Sequence, residues 1–535
     1  MTQRVYCIFE GAGARGLGHI GAYRSISKQP LDIKGFAGTS AGAIVAALAC
    51  AGYSAEDLFS EKTKKTVLDL LDLASTNADA EVVVRPASTP ANLFGKSQWW
   101  KIRLIRFLLD RPWIFWFLAI STGGIVLPGM FLFPQQALVL LAVDLAAGAI
   151  AAGMVARGIV NLDPVREGID QLLRLKLHGK RLGNPVTFAD LAAAGRPPLK
   201  VVAANISRQE TTVFSVETTP DVPVADAVCA SIAIPGVFRP RKVGDSWYMD
   251  GGLVSNLPAW TFDDERSIDR DALTAAIEIG VSDDRPGDAV DWTLGSAFRT
   301  MLFGSGILNK RGVDRLTPEL LIVNIGLLDF DVGFEHAAKI IREAEEYCDI
   351  NLIARMIELP FLINDACSKV SLRCHDILSA AFEAAGLAGI EFRTRLAVAV
   401  PVSPRYKNLR LEFSSGYDDL SDERISLPID RSFIGRAWNE NDTLYISKSD
   451  AVTWGESLAE PEDRWLRKLI WKDMAWVLCV PIEIDRETKV VVTLDADREL
   501  EFDEQALQEL LDGMERIILD EFQLLDSGRD LLHAR

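Results

Sequence analysis

The sequence is poor in the side chains that bind metals or form disulfide frameworks. It has five histidines in 535 residues, and its seven cysteines are scattered, without a C-x-x-C pair. Such spacing argues against a zinc site and against a disulfide scaffold, and it fits a reducing compartment. We therefore expect no metal site and no cofactor.

Basic residues are also in deficit. The 57 lysines and arginines face 75 aspartates and glutamates, which gives a formal net charge of −18. Because a chain of this sign repels nucleic acid, we expect no nucleic-acid partner. No secretory signal precedes the first strand-like run, Val5 to Phe9, so the cytoplasm is the expected location of the catalytic part.

The sequence does contain a G-x-S-x-G motif, Gly38-Thr39-Ser40-Ala41-Gly42. It lies where the apolar run from Ile33 to Ala37 gives way to a helix of small residues, Ala43 to Ala51. This layout is typical of a nucleophile elbow, in which a serine projects from a sharp strand-to-helix turn that small neighbours allow to close. The N-terminus of the following helix would favour negative charge developing at that serine.

A glycine-rich loop, Glu10-Gly11-Ala12-Gly13-Ala14-Arg15-Gly16, follows the first strand-like run. Glycines allow backbone N–H groups to turn inward around an anion. The spacing of the three glycines also fits a dinucleotide-binding loop, but that fold requires an acidic residue at the end of the second strand. The second strand ends instead at the elbow. We therefore interpret the loop as an oxyanion hole, with Arg15 as a fixed positive charge beside it.

The base that would activate Ser40 has two kinds of candidate. A Ser-His-Asp triad needs a histidine late in the chain, but the late histidines lie in no motif-like context, and His19 is expected to pack as a helix residue. Asp250, in Asp250-Gly251-Gly252, is an ordinary turn residue when considered alone and a candidate base beside the elbow. Because an exposed aspartate is a weak base, a Ser40–Asp250 dyad requires a buried carboxyl with a raised pKa.

These three motifs, in this order, resemble those of the patatin-like phospholipases. The segment Ala230 to Phe238 is also similar to that family, and the likeness covers about residues 4–80 and 160–345. It implies a three-layer α/β sandwich with a mainly parallel sheet and a Ser–Asp dyad that hydrolyses lipid esters.

The resemblance also implies a role for each motif residue. Ser40 would be the nucleophile and Asp250 the base. Ala12 replaces the family's common glycine, and the loop tolerates this only if Ala12 keeps a negative φ. The remaining positions are the oxyanion hole at Gly11, Ala12, Gly13, Arg15 and Gly16, and the elbow glycines Gly38 and Gly42.

Two long apolar runs lie between the serine and the aspartate. Trp113 to Phe133 has no charged residue, and Ala137 to Ala156 has only Asp144. About 20 helical residues span roughly 30 Å, so the runs predict a transmembrane helical hairpin within residues 91–159. Positive flanks predict a multi-pass membrane protein whose catalytic and C-terminal domains face the cytoplasm. A buried hairpin in a large assembly is the alternative, which Asp144 favours.

The C-terminal third divides into a helical and a β-rich part. Residues 346–389 predict a helical connector, which pairs with a second copy or packs on the catalytic domain. Residues 390–525 predict an α+β domain that ends in an amphipathic helix, Phe502 to Glu521. Its predicted strands are Phe392–Val402, Leu409–Phe413, Thr443–Ile446, Trp476–Ile484 and Lys489–Asp495.

The β-rich part resembles GAF-type sensor domains. The likeness rests on Leu427 to Trp438, on Val480-Pro481-Ile482 and on Thr493-Leu494-Asp495. It implies a small-molecule pocket or a dimerisation module that regulates the enzyme, and it assigns no ligand.

Together these features predict a membrane-anchored lipid acyl hydrolase of phospholipase A or lysophospholipase type. Its catalytic domain comprises residues 1–90 and 160–345. The expected partners are a lipid ester substrate, the lipid bilayer, a small-molecule regulator and a second copy of the chain. Two alternatives stay open: a catalytically silent membrane sensor, and a soluble esterase that uses the hairpin to form oligomers.

Overall fold

The computed structural model describes residues 3–73, 85–86, 94, 96–109, 139, 142, 158–180, 182–269, 272–280, 319–321, 325–401, 407–416, 425–457, 473–484 and 489–533. The chain divides into two compact units, Met1–Leu352 and Ile353–Arg535.

A mixed sheet of eight strands organises the first unit. The strands of this unit are β1 (Arg4–Phe9), β2 (Asp32–Thr39), β3 (Phe59–Ser60), β4 (Lys65–Thr66), β5 (Asp72–Leu73), β6 (Arg85–Pro86), β7 (Leu199–Asn205), β8 (Glu210–Phe214), β9 (Arg241–Val243), β10 (Ser246–Met249), β11 (Leu273–Gly280) and β12 (Glu319–Leu321). The sheet order is β12-β11-β1-β2-β7-β10-β9, with β8 also on β7. The first five run parallel, and β8, β9 and β10 are antiparallel to their neighbours.

Helices surround this sheet. They are α1 (Leu17–Ser27), α2 (Ala41–Ala51), α3 (Ala55–Leu58), α4 (Lys96–Leu109), α5 (Asp163–His178), α6 (Phe188–Ala193), α7 (Val224–Ser231), α8 (Asp263–Ile268) and α9 (Phe334–Cys348). The described residues of this unit also contain short 3-10 segments: Gly13–Gly16, Val67–Leu70, Gly251–Leu253 and Ala259–Phe262.

The central strands are buried because helices and loops cover both faces of the sheet. Every residue of β1 from Val5 to Phe9 is buried, as expected for a near-continuous apolar run in a parallel sheet. On one face, Tyr6 and Ile8 pack with Leu257 and Phe262. Helices α2, α5 and α7 pack together elsewhere in the unit, and α1 lies against α9.

The connection order brings the predicted motifs to one edge. Because β1 and β2 are neighbouring parallel strands, their carboxyl ends lie at the same edge of the sheet. The glycine-rich loop follows β1 there, and the elbow follows β2. The edge of the sheet is therefore where a site can form.

The second unit is built on an antiparallel sheet of six strands. They are β13 (Thr394–Pro401), β14 (Asn408–Ser415), β15 (Ser426–Pro428), β16 (Leu444–Ser447), β17 (Trp476–Glu483) and β18 (Lys489–Ala496), in the order β15-β14-β13-β18-β17-β16. Its helices are α10 (Leu359–Ala384), α11 (Phe433–Glu440), α12 (Lys448–Ser457) and α13 (Glu504–His533). Helices α10 and α13 share a core with one face of the sheet, and α11 and α12 share another core with the strands.

The predicted multi-pass membrane location is wrong. Among the described residues, no helix has both the length and the apolar composition that a bilayer crossing requires. Helix α4, which precedes the predicted hairpin, has 14 residues with lysines and arginines among them, so it is too short and too charged. Helices α10 and α13 are long, but charged residues recur along both. The predicted spans, Trp113–Phe133 and Ala137–Ala156, lie outside the described residues except for Val139 and Ala142.

Candidate active site

Ser40 lies between β2 and α2 in a backbone conformation that side chains seldom adopt. Its φ is 51° and its ψ is −124°. Non-glycine residues at positive φ are strained by about 1–3 kcal/mol and cluster at functional sites. The two flanking glycines allow this turn: a Cβ on Gly38 would lie 2.5 Å from the carbonyl carbon of Gly42, and one on Gly42 would collide with the carbonyl oxygen of Phe9.

The hydroxyl of Ser40 donates a hydrogen bond to Asp250. The distance from Oγ to Oδ2 is 2.8 Å across 210 positions of sequence. Both residues are buried, with 5% and 3% of their surfaces exposed. The other carboxylate oxygen, Oδ1, accepts the backbone N–H of Gly252 at 2.7 Å. The structure therefore brings the predicted nucleophile and base into contact.

Asp250 is placed by β10, which ends at Met249, and by the 3-10 segment that follows. The backbone N–H of Asp250 donates to the carbonyl of Ala233 at 3.0 Å. The next residue, Gly251, lies so close to β7 that a Cβ there would collide with the Val202 carbonyl oxygen. A glycine after the aspartate is thus needed for the turn to pack on the sheet.

Burial raises the pKa of Asp250 to about 6, because the ionised carboxylate loses its water. The hydrogen bonds from Gly252 N–H and Ser40 Oγ–H act in the opposite direction and lower the pKa. The carboxyl is thus ionised at neutral pH and more basic than an exposed aspartate.

The hydroxyl of Ser231, at the end of α7, is hydrogen-bonded to the backbone of Ser40. It accepts the N–H of Ser40 at 2.8 Å and donates to the carbonyl of Val202 at 2.6 Å. Thr39 and Val202 are paired residues of β2 and β7, so the next ladder bond would join Ser40 N–H to that carbonyl. The Ser231 hydroxyl takes the place of this bond and bridges the two strands.

In the glycine-rich loop, Ala12 keeps the negative φ that its side chain requires, −138°. Gly13 has φ 58°, which favours glycine. The N–H of Gly11 donates to the carbonyl of Asn256 at 3.0 Å. Within the part of the chain that the structure describes, the N–H groups of Ala12 and Gly13 have no hydrogen-bond acceptor. Two backbone donors are therefore open in this loop.

The remaining loop residues contact their surroundings. The Nε of Arg15 donates to the carbonyl of Ile325 at 2.8 Å, so this arginine is anchored to the backbone of a distant segment. A Cβ on Gly16 would lie 2.8 Å from the Cβ of Ala41, so the loop packs closely on the start of α2. The electrostatic role of Arg15 stays a prediction.

Sequence reasoning missed two polar residues at this edge of the sheet. No role was predicted for Ser231 or Asn256, and both are buried, at 0% and 2% exposure. A lone hydroxyl in the small apolar run Ala230 to Val237, and an asparagine directly before Leu257, were the available signals. Among the described residues, no histidine is hydrogen-bonded to Ser40 or Asp250, and the buried His19 contacts the carbonyl of Glu10 instead.

The sequence model of the family described as patatin-like phospholipase matches residues 8–263. The match includes the glycine-rich loop, the elbow and the aspartate turn. The chain contains a patatin-like phospholipase domain. This confirms the family resemblance for that part of the chain, and the mixed α/β sheet belongs to this patatin-like domain.

Two curated relatives match parts of the chain. It is 32% identical over 92 residues to the probable lipid hydrolase 463L of Invertebrate iridescent virus 6, which covers 17% of this chain and 32% of the viral protein. It is 26% identical over 269 residues to the uncharacterized protein YqhO of Bacillus subtilis, which covers 48% of this chain and 67% of that protein. The chain thus spans about a third of the viral relative and two thirds of the bacterial one.

A solved structure is similar to about a third of the chain. The GAF domain/HD domain protein from Geobacter sulfurreducens is 16% identical, covers 32% of this chain and 94% of its own, and has a TM-score of 0.21. The GAF resemblance of the second unit stays a prediction.

Proposed function

We propose that the patatin-like domain hydrolyses carboxylic esters of lipids, with Ser40 as nucleophile and Asp250 as general base. The observation that carries this proposal is the 2.8 Å hydrogen bond between Ser40 Oγ and Asp250 Oδ2. It joins two buried side chains at the carboxyl edge of a parallel sheet, beside two open backbone N–H groups. A nucleophile in contact with its base, next to anion-binding donors, is the arrangement that acyl transfer requires.

The base is suited to neutral pH. A general base works best when its pKa lies near the working pH, since it is then ionised and still attracts a proton. Burial brings the pKa of Asp250 to about 6, and its second oxygen is fixed by Gly252 N–H. One oxygen therefore faces Ser40 while the other is held by the backbone.

The donors that we assign to the oxyanion are the N–H groups of Ala12 and Gly13. Gly11 is less suited than the sequence suggested, because its N–H already donates to the Asn256 carbonyl. Each donor of this kind typically lowers the barrier by about 2.7–4 kcal/mol. The N-terminus of α2, which begins at Ala41, adds a favourable dipole at Ser40.

In the first half-reaction, Ser40 Oγ attacks the ester carbonyl carbon and its proton passes to Asp250. The carbonyl oxygen becomes an oxyanion held by the two N–H groups. When the intermediate collapses, the bond to the leaving alcohol breaks, and the alcohol takes the proton from Asp250. In the second half-reaction, water gives its proton to Asp250 and attacks the acyl-Ser40. The fatty acid then leaves, and Ser40 recovers its proton.

The substrate class follows from the family. The description of the matching family and the name of the viral relative both refer to lipids, and the range that matches the family model, residues 8–263, includes Ser40 and Asp250. The sequence resemblance adds the finer substrate type that we propose, lipid esters cleaved in the manner of a phospholipase A or a lysophospholipase.

Fatty-acyl nitrophenyl esters, defined phospholipids and a fluorophosphonate probe test this function. We expect the wild-type chain to release fatty acid and to be labelled at Ser40, and Ser40→Ala to lose both. Ser215→Ala is the matched control, because Ser215 is also buried, at 2% exposure, and within the described ranges its hydroxyl contacts the turn around Thr218 and not Ser40 or Asp250. Equal inactivity of the wild type and Ser40→Ala on every lipid class would contradict the proposal.

A further inference from the structure

Where the chain leaves β1, the side chain of Glu10 accepts a hydrogen bond that a backbone carbonyl would accept in a regular sheet. Phe9 pairs with Ile277 of β11, and the N–H of Glu10 donates to the Ile277 carbonyl at 3.1 Å. In a parallel ladder, the N–H of Ile279 would next donate to the carbonyl of Glu10. It donates instead to the Glu10 carboxylate, at 2.6 Å from Oε2.

The backbone carbonyl of Glu10, which accepts no hydrogen bond from Ile279, accepts one from a histidine side chain. His19, in the first turn of α1, donates to it from Nε2 at 2.8 Å, and the ring is completely buried. The ring is neutral, because burial lowers the pKa of His19 to about 4. A neutral imidazole with its proton on Nε2 is the form that this carbonyl requires.

The second carboxylate oxygen of Glu10 binds Asn256. The amide nitrogen Nδ2 of Asn256 donates to Oε1 at 2.6 Å, and the backbone carbonyl of Asn256 accepts the N–H of Gly11 at 3.0 Å. Gly11 lies so close to this side chain that a Cβ there would collide with Asn256 Oδ1. Glu10 and Asn256 thus hold the first residue of the glycine-rich loop from two sides.

We propose that Glu10, His19 and Asn256 form a positioning group that turns the chain out of β1 and aims the N–H groups of Ala12 and Gly13 at the substrate oxyanion. This inference rests on the proposed function, because it assigns the orientation of the same site. The group touches no reacting atom. It occupies the acceptors and donors of Glu10 and Gly11, so that the next two N–H groups are the ones left open.

The geometry gives a test by exchange of side chains. In Asn256→Asp, two carboxylates face each other, since the hydrogen bond from Nδ2 to Oε1 is lost. In Glu10→Gln/Asn256→Asp, the glutamine amide donates to the new aspartate and its oxygen accepts the Ile279 N–H, so both contacts return in reverse. Repulsion in the single variant and its removal in the double variant separate this group from a general loss of packing.

The measurement is kcat and KM on a soluble acyl ester at mildly alkaline pH, per active site titrated with a fluorophosphonate. We expect Asn256→Asp to lower kcat about 10- to 100-fold, with KM little changed. This decrease in kcat is at most as large as the decrease caused by removing one oxyanion donor completely. The exchange variant should recover most of kcat. The rate ratio between an oxo ester and its thiono analogue should fall in the single variant, because sulfur fits a tight oxyanion site poorly and a loose one less so.

Three further variants can contradict the inference. Asn205→Asp is the matched control, since Asn205 is buried at 3% exposure and contacts Tyr248 and the following turn. If Asn256→Asp does not fold, His19→Phe should lower kcat per titrated site, and His19→Gln, which keeps a donor, should retain more of it. A kcat per titrated site that matches the Asn205→Asp control, or His19→Phe and His19→Gln with equal kcat, overturns the inference. A wild type without turnover or labelling is a failure of the proposed function instead.

Discussion

The burial of Asp250 lowers the stability of the folded state and makes its carboxylate a stronger base. Its carboxyl is 3% exposed and its partners are two neutral donors, Gly252 N–H and Ser40 Oγ–H. Among the groups that shift its pKa, no arginine or lysine compensates the charge. The same desolvation that makes the carboxylate basic therefore makes the folded state less stable when the carboxylate is ionised.

This gives a prediction about Asp250→Asn. The folded pKa, about 6, exceeds the ordinary value of 3.8, so the folded state binds this proton more tightly than the unfolded state. The free energy of unfolding therefore falls as pH rises from about 4 to 6 and is constant above that range, a difference of about 3 kcal/mol. At neutral pH, Asp250→Asn should be more stable than the wild type by up to this amount, and inactive.

Denaturant unfolding of both proteins between acid and neutral pH measures this effect. The gap between their unfolding free energies should close as pH falls to about 4, where the wild-type carboxyl is protonated. If Asp250→Asn is less stable than the wild type at neutral pH, the ionised carboxylate does not destabilise the folded state.

At the scale of elements, the two central strands leave the sheet by the same device. At the end of β1, a carboxylate oxygen of Glu10 replaces a backbone carbonyl. At the end of β2, the hydroxyl of Ser231 enters between Ser40 N–H and the Val202 carbonyl. In both places a side-chain oxygen ends the ladder and accepts a buried backbone N–H group, that of Ile279 at the first exit and that of Ser40 at the second.

Ser231→Ala tests the second of these exits. Ser40 N–H and the Val202 carbonyl would each lose a partner, and an unsatisfied buried group costs about 1–3 kcal/mol. We expect the unfolding free energy to fall by about this amount and fluorophosphonate labelling of Ser40 to slow about tenfold, because the elbow shifts relative to Asp250.

The control for this variant is again Ser215→Ala. Both changes remove a buried hydroxyl, but only Ser231 contacts the nucleophile's backbone. A labelling rate per folded molecule that is equal in the two variants would mean that Ser231 contributes to stability alone.

At the scale of the whole molecule, the chain consists of two units with separate cores. In the first unit, Tyr6, Ile8 and Phe262 pack under the mixed sheet. In the second, Trp476, Val480 and Phe522 belong to a core that includes α10 and α13. Units with their own cores are expected to unfold as separate cooperative transitions.

We predict that a chain ending at Leu352 folds and is labelled at Ser40 by the fluorophosphonate. Calorimetry of the full chain should show two transitions, of which the shortened chain keeps one. Loss of labelling in the shortened chain would show that the patatin-like domain depends on the second unit. The GAF resemblance predicts that the second unit regulates turnover. The same experiment tests this by comparing kcat of the full and the shortened chain.

From the sequence alone, Ser40 and Asp250 could be predicted as a reactive pair, together with the turns in which they lie. Small residues at fixed spacing around Ser40 permit only a tight strand-to-helix turn, and the apolar periods gave strands close to those observed, such as Trp476–Glu483 against a predicted Trp476–Ile484. Local constraints of this kind act over a few residues, so they can be recognised in a single sequence.

Tertiary structure alone decided how those residues are connected. The 2.8 Å contact between Ser40 and Asp250, the hydroxyl of Ser231 in the strand ladder and the commitment of Gly11 N–H to Asn256 each join distant parts of the sequence. No local pattern records which buried donor meets which acceptor, because that is fixed by the packing of strands against one another. The predicted membrane location is wrong because, in the part of the chain that the structure describes, no helix combines the length and the apolar composition that a bilayer crossing needs.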